Sequence, residues 1–320
     1  MAHPTSSHAN PWPPLPFEEW RATYETLHMW TQVVGKIRLA QTPWINHSWH
    51  TAFYVTSRGL TTSPIPHGAR TFEIEFDFID HRLLIQTSGG ESSAIPLHPR
   101  SVAEFYRELF AELAKLGLGV KIRTTPCEVV AATPFEKDAA HATYIPEHAN
   151  QFFGALAQAD RVLKEFRARF IGKCSPVHFF WGSFDLACTR FSGRRAPMHP
   201  GGIPNLADWV VREAYSHEVS SCGFWPGNAQ LPQPVFYSYA YPEPQGFRAA
   251  NVRPAGAAYN SAFGEFILPY DDVRQSTAPD ATLLEFVQSS YEAAANCGAW
   301  DRPALERQEI TRAAAPAPRS

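Results

Sequence analysis

An alternation of apolar and acidic residues at positions 71–78 restricts the fold more than any other feature of the sequence. The segment reads Thr-Phe-Glu-Ile-Glu-Phe-Asp-Phe, so every second residue is apolar. Successive side chains of a strand point to opposite faces of a sheet, and this pattern therefore predicts a strand with one buried and one solvated face. A turn at Asp80-His81 followed by a second strand at residues 83–86 predicts an antiparallel hairpin.

Helical periodicity flanks the predicted strands. Apolar residues recur at three- and four-residue steps over residues 18–39, which predicts a helix with one buried face, ended by Pro43. Ser101 followed by Glu104 is the capping-box pattern of a helix start, here for a helix over residues 101–116. The same criteria predict helices at residues 147–171, 206–215 and 282–295, and strands within residues 177–189, 235–241 and 264–268.

The predicted elements follow the same order in both parts of the chain. We therefore predict an α+β fold made of two similar helix–antiparallel-strand–helix halves that pack as one unit. The first half covers residues 17–125 and the second covers residues 126–302. We expect flexible ends at residues 1–16 and 303–320, which are rich in proline and small residues.

This repeated order points to an internal duplication. A shift of 132 residues superposes Trp49 on Trp181 and Arg58 on Arg190. The identities are few, so duplication and coincidence both remain open. Under this alignment the second half carries one insert, at residues 202–233, which we expect to lie over a cleft between the halves and to contact the first half.

Charge and composition exclude several classes of protein. The net charge is −3, from 28 basic and 31 acidic residues, which argues against a cationic nucleic-acid-binding surface. No apolar run reaches the roughly 20 residues of a transmembrane helix, and the first 16 residues lack the pattern of a secretory signal. Five cysteines without paired spacing are typical of a reducing compartment. We therefore expect a cytoplasmic protein with no nucleic-acid or membrane partner.

Several long motifs carry a resemblance to a known family. They are GKCSPVHFFWGSFDL at residues 172–186, TRFSGR at 189–194, AYSHEV at 214–219, GFWPG at 223–227, LHMW at 27–30 and RGLTTSP at 58–64. With these motifs the chain resembles a bacterial family of uncharacterised proteins, domain of unknown function 5996, over about residues 12–300. The resemblance implies a single integral unit; it implies no activity and no catalytic residue.

Histidines and acidic residues of the second half are the candidates for chemistry. His217 and Glu218 are adjacent in the predicted insert, and His178 opens an aromatic strand. A histidine and a carboxylate can act as base and orienting partner, so we predict these three as catalytic residues. The alternative is that His217 and Glu218 form a surface or capping pair, because adjacent side chains usually point apart.

A metal site is a second interpretation of the same residues. If the two halves face each other, His50 and His178 could converge with His217 and Glu218. Imidazole and carboxylate ligands in such a set favour iron, zinc or manganese, as in a metal-dependent hydrolase or oxygenase. The alternative is that His50 and His178 are hydrogen-bonded core residues. The sequence contains no phosphate-binding glycine motif, so we expect no nucleotide cofactor.

Substrate binding is predicted from arginines and aromatic residues. Arg58 and Arg190 adjoin proline- and glycine-rich loops, where a guanidinium can clamp a carboxylate or phosphate, although each could equally tie down its own loop. We expect Trp225 and Tyr239 to line the same pocket. The sequence thus favours a cytoplasmic enzyme that acts on a small anionic or aromatic molecule. A non-catalytic ligand-binding or protein-interaction module is the alternative, and the oligomeric state is left open.

Overall fold

Two six-stranded antiparallel sheets with helices packed beside them make up the fold. The computed structural model describes residues 11–308, which contain seven α-helices and twelve strands. The first part of the chain contains α1 (Phe17–Gln41), β1 (Tyr54–Val55), β2 (Gly59–Thr61), β3 (Ile65–His67), β4 (Arg70–Asp77), β5 (Arg82–Thr87), β6 (Ser92–Pro96) and α2 (Val102–Lys115). The mixed α+β class predicted from the sequence is thereby confirmed.

The second part of the chain forms the other sheet and its helices. It contains α3 (Pro146–Ala168), β7 (His178–Phe180), β8 (Asp185–Arg195), α4 (Asp208–Ala214), β9 (His217–Trp225), β10 (Val235–Tyr241), β11 (Ala258–Asn260), β12 (Glu265–Pro269), α5 (Tyr270–Arg274), α6 (Pro279–Cys297) and α7 (Arg302–Leu305). None of the described helices is long and apolar enough to span a membrane.

The first sheet follows the sequence pattern closely. Its strand order is β1-β2-β4-β5-β6, with β3 also paired to β4. In the predicted hairpin, Ile74 of β4 faces Ile85 of β5, and both are fully buried. Ser101 and Glu104 form the predicted capping box at the start of α2. The apolar face of this sheet packs against helices, with Phe105 of α2 stacked between the rings of Trp30 and Phe76.

The second sheet has helices on one face and a cavity on the other. Its strand order is β11-β12-β10-β9-β8-β7, and α3 and α6 pack against its strands β8, β9 and β10. Cys188, paired with Cys222 across β8 and β9, points toward the helices. Because side chains alternate along a strand, Ala187 and Thr189 point to the opposite face. That opposite face is the floor of the site described below.

The prediction made for the insert at residues 202–233 is wrong in one respect. Residues 217–225 are β9, a central strand between β8 and β10, and therefore not part of a segment laid over the sheet. Most of this strand is buried on both faces, so it lacks the polar and apolar alternation that marks a half-exposed strand. Residues 208–214 form α4, which does contact the first part of the chain, as expected.

The described part of the N-terminal segment is packed, in contrast to the flexible end predicted for residues 1–16. Trp12 and Leu15 are buried, and the Tyr270 hydroxyl donates to the Pro13 carbonyl at 2.8 Å. Near the other end, Ile171 N–H donates to the Leu305 carbonyl at 2.8 Å, so the start of the predicted tail at residues 303–320 is also held. Residues 1–10 and 309–320 lie outside the described residues.

The equivalences expected from an internal duplication are not shown by the structure. Arg58 lies in the turn between β1 and β2, whereas Arg190 lies in the middle of β8, opposite Ser220. The two segments that the 132-residue shift superposes are instead in direct contact. Phe53 and Phe179 exchange two backbone hydrogen bonds of 2.8 Å. This bridge connects the two sheets, and one buried apolar cluster runs through both parts of the chain. The two halves therefore form one unit.

The turn between β7 and β8 is held against α1. The side chain of Trp181 lies over Gly35 of α1, where an added Cβ would come within 2.2 Å of the indole ring. The indole Nε1 donates to the Thr51 carbonyl at 2.8 Å, so the turn also contacts the segment after α1. Glycine at position 35 is required by this close approach, although glycine in a helix interior costs about 1 kcal/mol relative to alanine.

Substitution of Gly35 by alanine tests this contact. Helix propensity alone predicts a stabilisation of about 1 kcal/mol. We expect instead a loss of about 2 kcal/mol in the free energy of unfolding, because the methyl group overlaps the Trp181 ring. Urea denaturation measures the change. Gly119→Ala is the matched control, since a Cβ at this exposed glycine meets no atom within 4 Å. Equal effects of the two substitutions would contradict the packing described here.

Candidate functional site

A cavity of about 350 Å³ lies on the open face of the second sheet. This volume is within the range of about 300–1,000 Å³ that is typical of small-molecule sites. Its boundaries are the segment after α1, the loop at Cys127-Glu128, the turn between β7 and β8, helix α4, and strands β8 to β10. Both parts of the chain contribute, so the cavity exists only in the assembled fold.

The floor of the cavity consists of small and hydroxyl-bearing residues. Strand register explains their placement: Thr189 pairs with Ser221, and Ser221 pairs with Tyr239. The Thr189 and Ser221 hydroxyls are 2.9 Å apart, and those of Tyr239 and Tyr215 are 2.8 Å apart. Burial raises the pKa of the Tyr239 phenol well above its ordinary value, so the hydroxyl stays protonated. The floor therefore offers hydroxyl groups to a ligand.

Aromatic rings form most of the walls. They are the side chains of Trp44, Trp49, Phe180, Trp181, Phe191 and Trp209. Helix α4 covers one side, where the Trp44 and Trp209 ring centroids are 4.8 Å apart. Trp44 Nε1 also donates to the Glu213 carboxylate at 2.6 Å. The segment at residues 202–233 thus contacts the first part of the chain and helps to close a pocket, but His217 and Glu218, which we expected to line that pocket, are not among its lining residues.

Asp185 places a carboxyl group at the start of β8, inside this aromatic enclosure. It accepts hydrogen bonds from the Ser183 and Tyr237 hydroxyls, one on each oxygen. Burial raises its pKa above the ordinary aspartate value, and these two bonds oppose the rise. Asp185 is therefore a positioned group whose orientation is fixed from two sides.

Glu128 is the second carboxyl group of the cavity, and its surroundings differ. Within residues 11–308 its carboxyl group accepts no hydrogen bond from the protein, so it is available to a ligand. Its backbone has φ = 60°, in the left-handed region that is uncommon for residues other than glycine, and its N–H donates to the Pro204 carbonyl at 2.8 Å. Burial, and secondarily the charge of Asp185, raises the pKa of Glu128 to about 7.

Gly182 makes room for the Glu128 side chain. An added Cβ at position 182 would lie 2.0 Å from Glu128 Oε1, so the carboxyl group rests directly against the backbone of the turn. The Gly182 carbonyl accepts a hydrogen bond from His28 Nε2 of α1 at 2.8 Å. The position of the glutamate therefore depends on a turn that α1 holds in place.

Helix α1 also fixes the residue before Glu128. The Gln32 side-chain amide donates to the Cys127 carbonyl at 2.8 Å, and its oxygen accepts from the Cys127 N–H at 2.9 Å. Together with His28 and Gly35, Gln32 lies on one helical stripe, because residues three and four apart share a face. This stripe positions the loop that carries Glu128 and the turn that precedes Asp185.

The predicted catalytic residues do not line this cavity. Glu218 is paired with Arg194 at 2.7 Å near the surface, and His217 Nδ1 lies 3.0 Å from the Ser216 hydroxyl. His178 is fully buried with no polar partner on either ring nitrogen, and burial lowers its pKa to about 3. His178 is therefore a neutral core residue.

The four predicted metal ligands are also not brought together. His50 Nδ1 lies 3.2 Å from the Ile45 carbonyl oxygen, while the Glu218 carboxylate is paired with Arg194. Within the described part of the chain, no group of three or more histidine, cysteine, aspartate or glutamate side chains is placed to hold a metal ion. The set His50, His178, His217 and Glu218 is thus not a preformed coordination site.

The predicted arginine clamps have partners elsewhere. Arg58 pairs with Asp77 and Asp80, both at 2.8 Å, in the first sheet. Arg190 points to the helix side of the second sheet, where its guanidinium lies 3.5 Å from the centroid of the Phe166 ring. Of the two aromatic residues predicted to bind substrate, Tyr239 lines the cavity and Trp225 does not.

Comparison with known proteins gives the family of the chain. A model described as a family of unknown function, DUF5996, matches residues 12–307. The chain belongs to this family, as its motifs predicted. No curated protein and no solved structure matches it. The family description carries no activity, so the chemistry of the cavity is what points to a function.

The raised pKa of Glu128 makes a measurable contribution to stability. Between its ordinary value of 4.5 and about 7, the folded protein holds a proton that the unfolded chain has released. The stability of the fold therefore falls as pH rises through this window. Glu128→Gln removes the destabilisation that ionisation of this carboxyl group causes in the folded protein. We therefore expect the substitution to raise the free energy of unfolding by about 3 kcal/mol more at pH 8 than at pH 4.5.

Urea denaturation of the wild-type protein and the Glu128→Gln variant at these two pH values measures the difference. The comparison cancels the shared titrating groups that do not interact with Glu128. Glu136→Gln is a suitable control, because Glu136 is exposed on a surface turn. A Glu128→Gln effect that is the same at both pH values would contradict a protonated Glu128 in the fold.

Proposed function

We propose that this family member is an enzyme that binds a small organic molecule in the cavity and transfers a proton through the Glu128 carboxyl group. One observation carries the proposal: a carboxyl group with no hydrogen-bond partner within residues 11–308 faces the cavity beside a second carboxyl group that accepts a hydrogen bond on each oxygen. Two acidic groups with different surroundings in one cavity are typical of acid–base sites.

The two carboxyl groups have different roles in this proposal. Asp185 is held by Ser183 and Tyr237, so it acts as a positioning group that also sets the electrostatic environment of Glu128. Glu128 has a pKa of about 7, so near neutral pH both its acid and its base forms are populated. A pKa near the working pH is what efficient general acid–base catalysis requires.

The rest of the cavity supports binding and exclusion of water. The aromatic walls bury apolar surface of a ligand, while the Tyr215 and Tyr239 hydroxyls provide hydrogen bonds that fix its orientation. Closure by α4 places the carboxyl groups in surroundings of low polarity, where electrostatic interactions are stronger than in water. These features favour a reaction on an uncharged or cationic centre over one on an anion.

A ligand-binding protein without catalysis is the second candidate. It is favoured by the aromatic character of the walls, which alone would suffice to hold an apolar molecule. The two candidates differ in what they require of Glu128: catalysis needs its titration, whereas binding alone needs only its shape and hydrogen-bonding capacity.

A cytoplasmic location remains part of the proposal. The five cysteines are all free thiols, which supports a reducing compartment. A small molecule remains the expected partner, and it is the cavity that supports this expectation.

The decisive experiment separates binding from turnover. A library of small organic compounds is screened by thermal shift, and each compound that binds is then incubated with the protein and followed by mass spectrometry. We expect Glu128→Gln still to bind its ligand and to lower the turnover rate at saturating ligand by at least about 100-fold, since general acid–base groups contribute roughly 10²–10⁴. Glu136→Gln serves as the matched control and should retain full activity.

A second variant tests the position of Glu128 without changing its chemistry. Gly182→Ala keeps the Glu128 carboxyl group itself. It forces that group to a new position, because the added methyl group overlaps Glu128 Oε1. We expect a folded protein with a similarly large loss of turnover. Undiminished turnover in both Glu128→Gln and Gly182→Ala would overturn the catalytic proposal, and ligands that bind but are never converted would support the binding protein instead.

A further inference from the structure

The charged groups that line the cavity are of one sign. Glu128 and Asp185 contribute carboxyl groups, and no lysine or arginine is among the described residues that line the cavity. An anionic ligand would therefore add negative charge beside these two acids, and the ammonium group of Lys173, which adjoins the lining, is already engaged by His47. Burial of an unpaired charge is strongly unfavourable, so the cavity disfavours anions.

Among the described residues of the lining, one side chain is basic, and it is held in its neutral form. His47 Nδ1 donates to the Ala214 carbonyl at 2.9 Å, so its Nε2 is the acceptor for the Lys173 ammonium group at 2.6 Å. Burial lowers the pKa of His47, and the charge of Lys173 lowers it further. Both ring nitrogens are thus occupied by the protein, and His47 offers neither a charge nor a free hydrogen bond to a ligand.

The walls complement a positive charge. The faces of aromatic rings carry partial negative charge and attract ammonium groups, most strongly in the case of tryptophan. Four tryptophans line the cavity: Trp44, Trp49, Trp181 and Trp209. The Lys173 ammonium group already lies 5.6 Å from the centroid of the Trp49 ring, which leaves the other three rings for the cation of a ligand. Aromatic walls with a carboxylate at one point are the arrangement by which proteins recognise organic ammonium ions.

We infer that the cavity binds an organic ammonium ion, with its cationic group between the tryptophan-rich walls and the Glu128–Asp185 pair. This inference rests on the proposed function, since it names the ligand class of the same site. The cationic group offsets the charge of the buried carboxylates, and the aromatic rings replace the water that the cation loses on entry. Of the anionic or aromatic molecule expected from the sequence, it departs from the anionic alternative, because Arg58 and Arg190 lie outside the cavity.

Two sets of probes of nearly equal shape and different charge test the inference. The first is choline, its uncharged carbon analogue 3,3-dimethylbutan-1-ol, and the anion 3,3-dimethylbutanoate. The second is benzylamine, benzyl alcohol and benzoate. Binding is measured by calorimetry and by quenching of tryptophan fluorescence at pH 8, where Glu128 is mostly ionised and choline and benzylamine are both cationic.

In at least one set, we expect the cation to bind at least tenfold more tightly than the alcohol, and the anion to bind more weakly than either. Glu128→Gln should reduce cation affinity at least tenfold and leave the affinity of the alcohol within about twofold. Glu136→Gln should change neither. Cations that bind no better than their alcohols in both sets would overturn the inference, as would a preference that persists in Glu128→Gln.

The results also separate this inference from the proposed function. If an uncharged molecule such as a sugar binds and is converted under the control of Glu128, the ammonium inference fails and the catalytic proposal stands. If cations bind through Glu128 and the Glu128→Gln variant still converts its ligand at the wild-type rate, the catalytic proposal fails and the ammonium inference stands.

Discussion

The packing of Trp181 on Gly35 of α1 is the contact on which the rest of the site depends. It brings the turn between β7 and β8 against a helix from the other part of the chain, and the Trp181 indole then reaches the Thr51 carbonyl. His28 and Gln32, on the same stripe of α1, hold Gly182 and Cys127 through their backbone groups. The helix thereby fixes both segments that carry the carboxyl groups of the cavity, although no residue of this stripe is acidic.

This arrangement concentrates buried acidity on one face of the second sheet. Besides Glu128 and Asp185, Glu265 of β12 has a pKa raised to about 8 by burial and, to a smaller degree, by the charge of Asp185. Buried carboxyl groups without cationic partners destabilise a fold near neutral pH. Sites that combine such a cost with an enclosed cavity are commonly functional, since catalytic groups need shifted pKa values. The aromatic walls and the two carboxyl groups of the cavity thus both favour ligand binding.

The sequence predicted those elements whose pattern is local. The helix at Phe17–Gln41, the capping box at Ser101 and the hairpin at Arg70–Thr87 follow from periodicity and turn residues within short windows. Strand β9 was missed because it is buried on both faces and has no alternation to detect. The proline-rich composition of the N-terminal segment predicted a flexible end. In the described part of that segment, however, Trp12 and Leu15 are buried.

The site was harder to predict because it is assembled from distant segments. Glu128 lies in an irregular loop, and its role depends on Gly182 and Asp185, which are more than fifty residues away along the chain. The histidines drew attention because of their residue type, yet His178 lies in the core and His217 near the surface. Only Gln32, a buried amide on the apolar helix α1, gave a signal in hindsight, since such a group needs hydrogen-bond partners.

The titration of the Glu128 carboxyl group is the most direct test of this account. Nuclear magnetic resonance of protein labelled with ¹³C at the glutamate carboxyl carbons, compared with the Glu128→Gln variant, isolates its signal. We expect a midpoint near pH 7 in the wild-type protein, in line with burial beside Asp185. In Asp185→Asn the midpoint should fall, because the neighbouring negative charge is gone. A midpoint at the ordinary glutamate value of 4.5, unchanged by Asp185→Asn, would show a solvated carboxyl group and contradict the account.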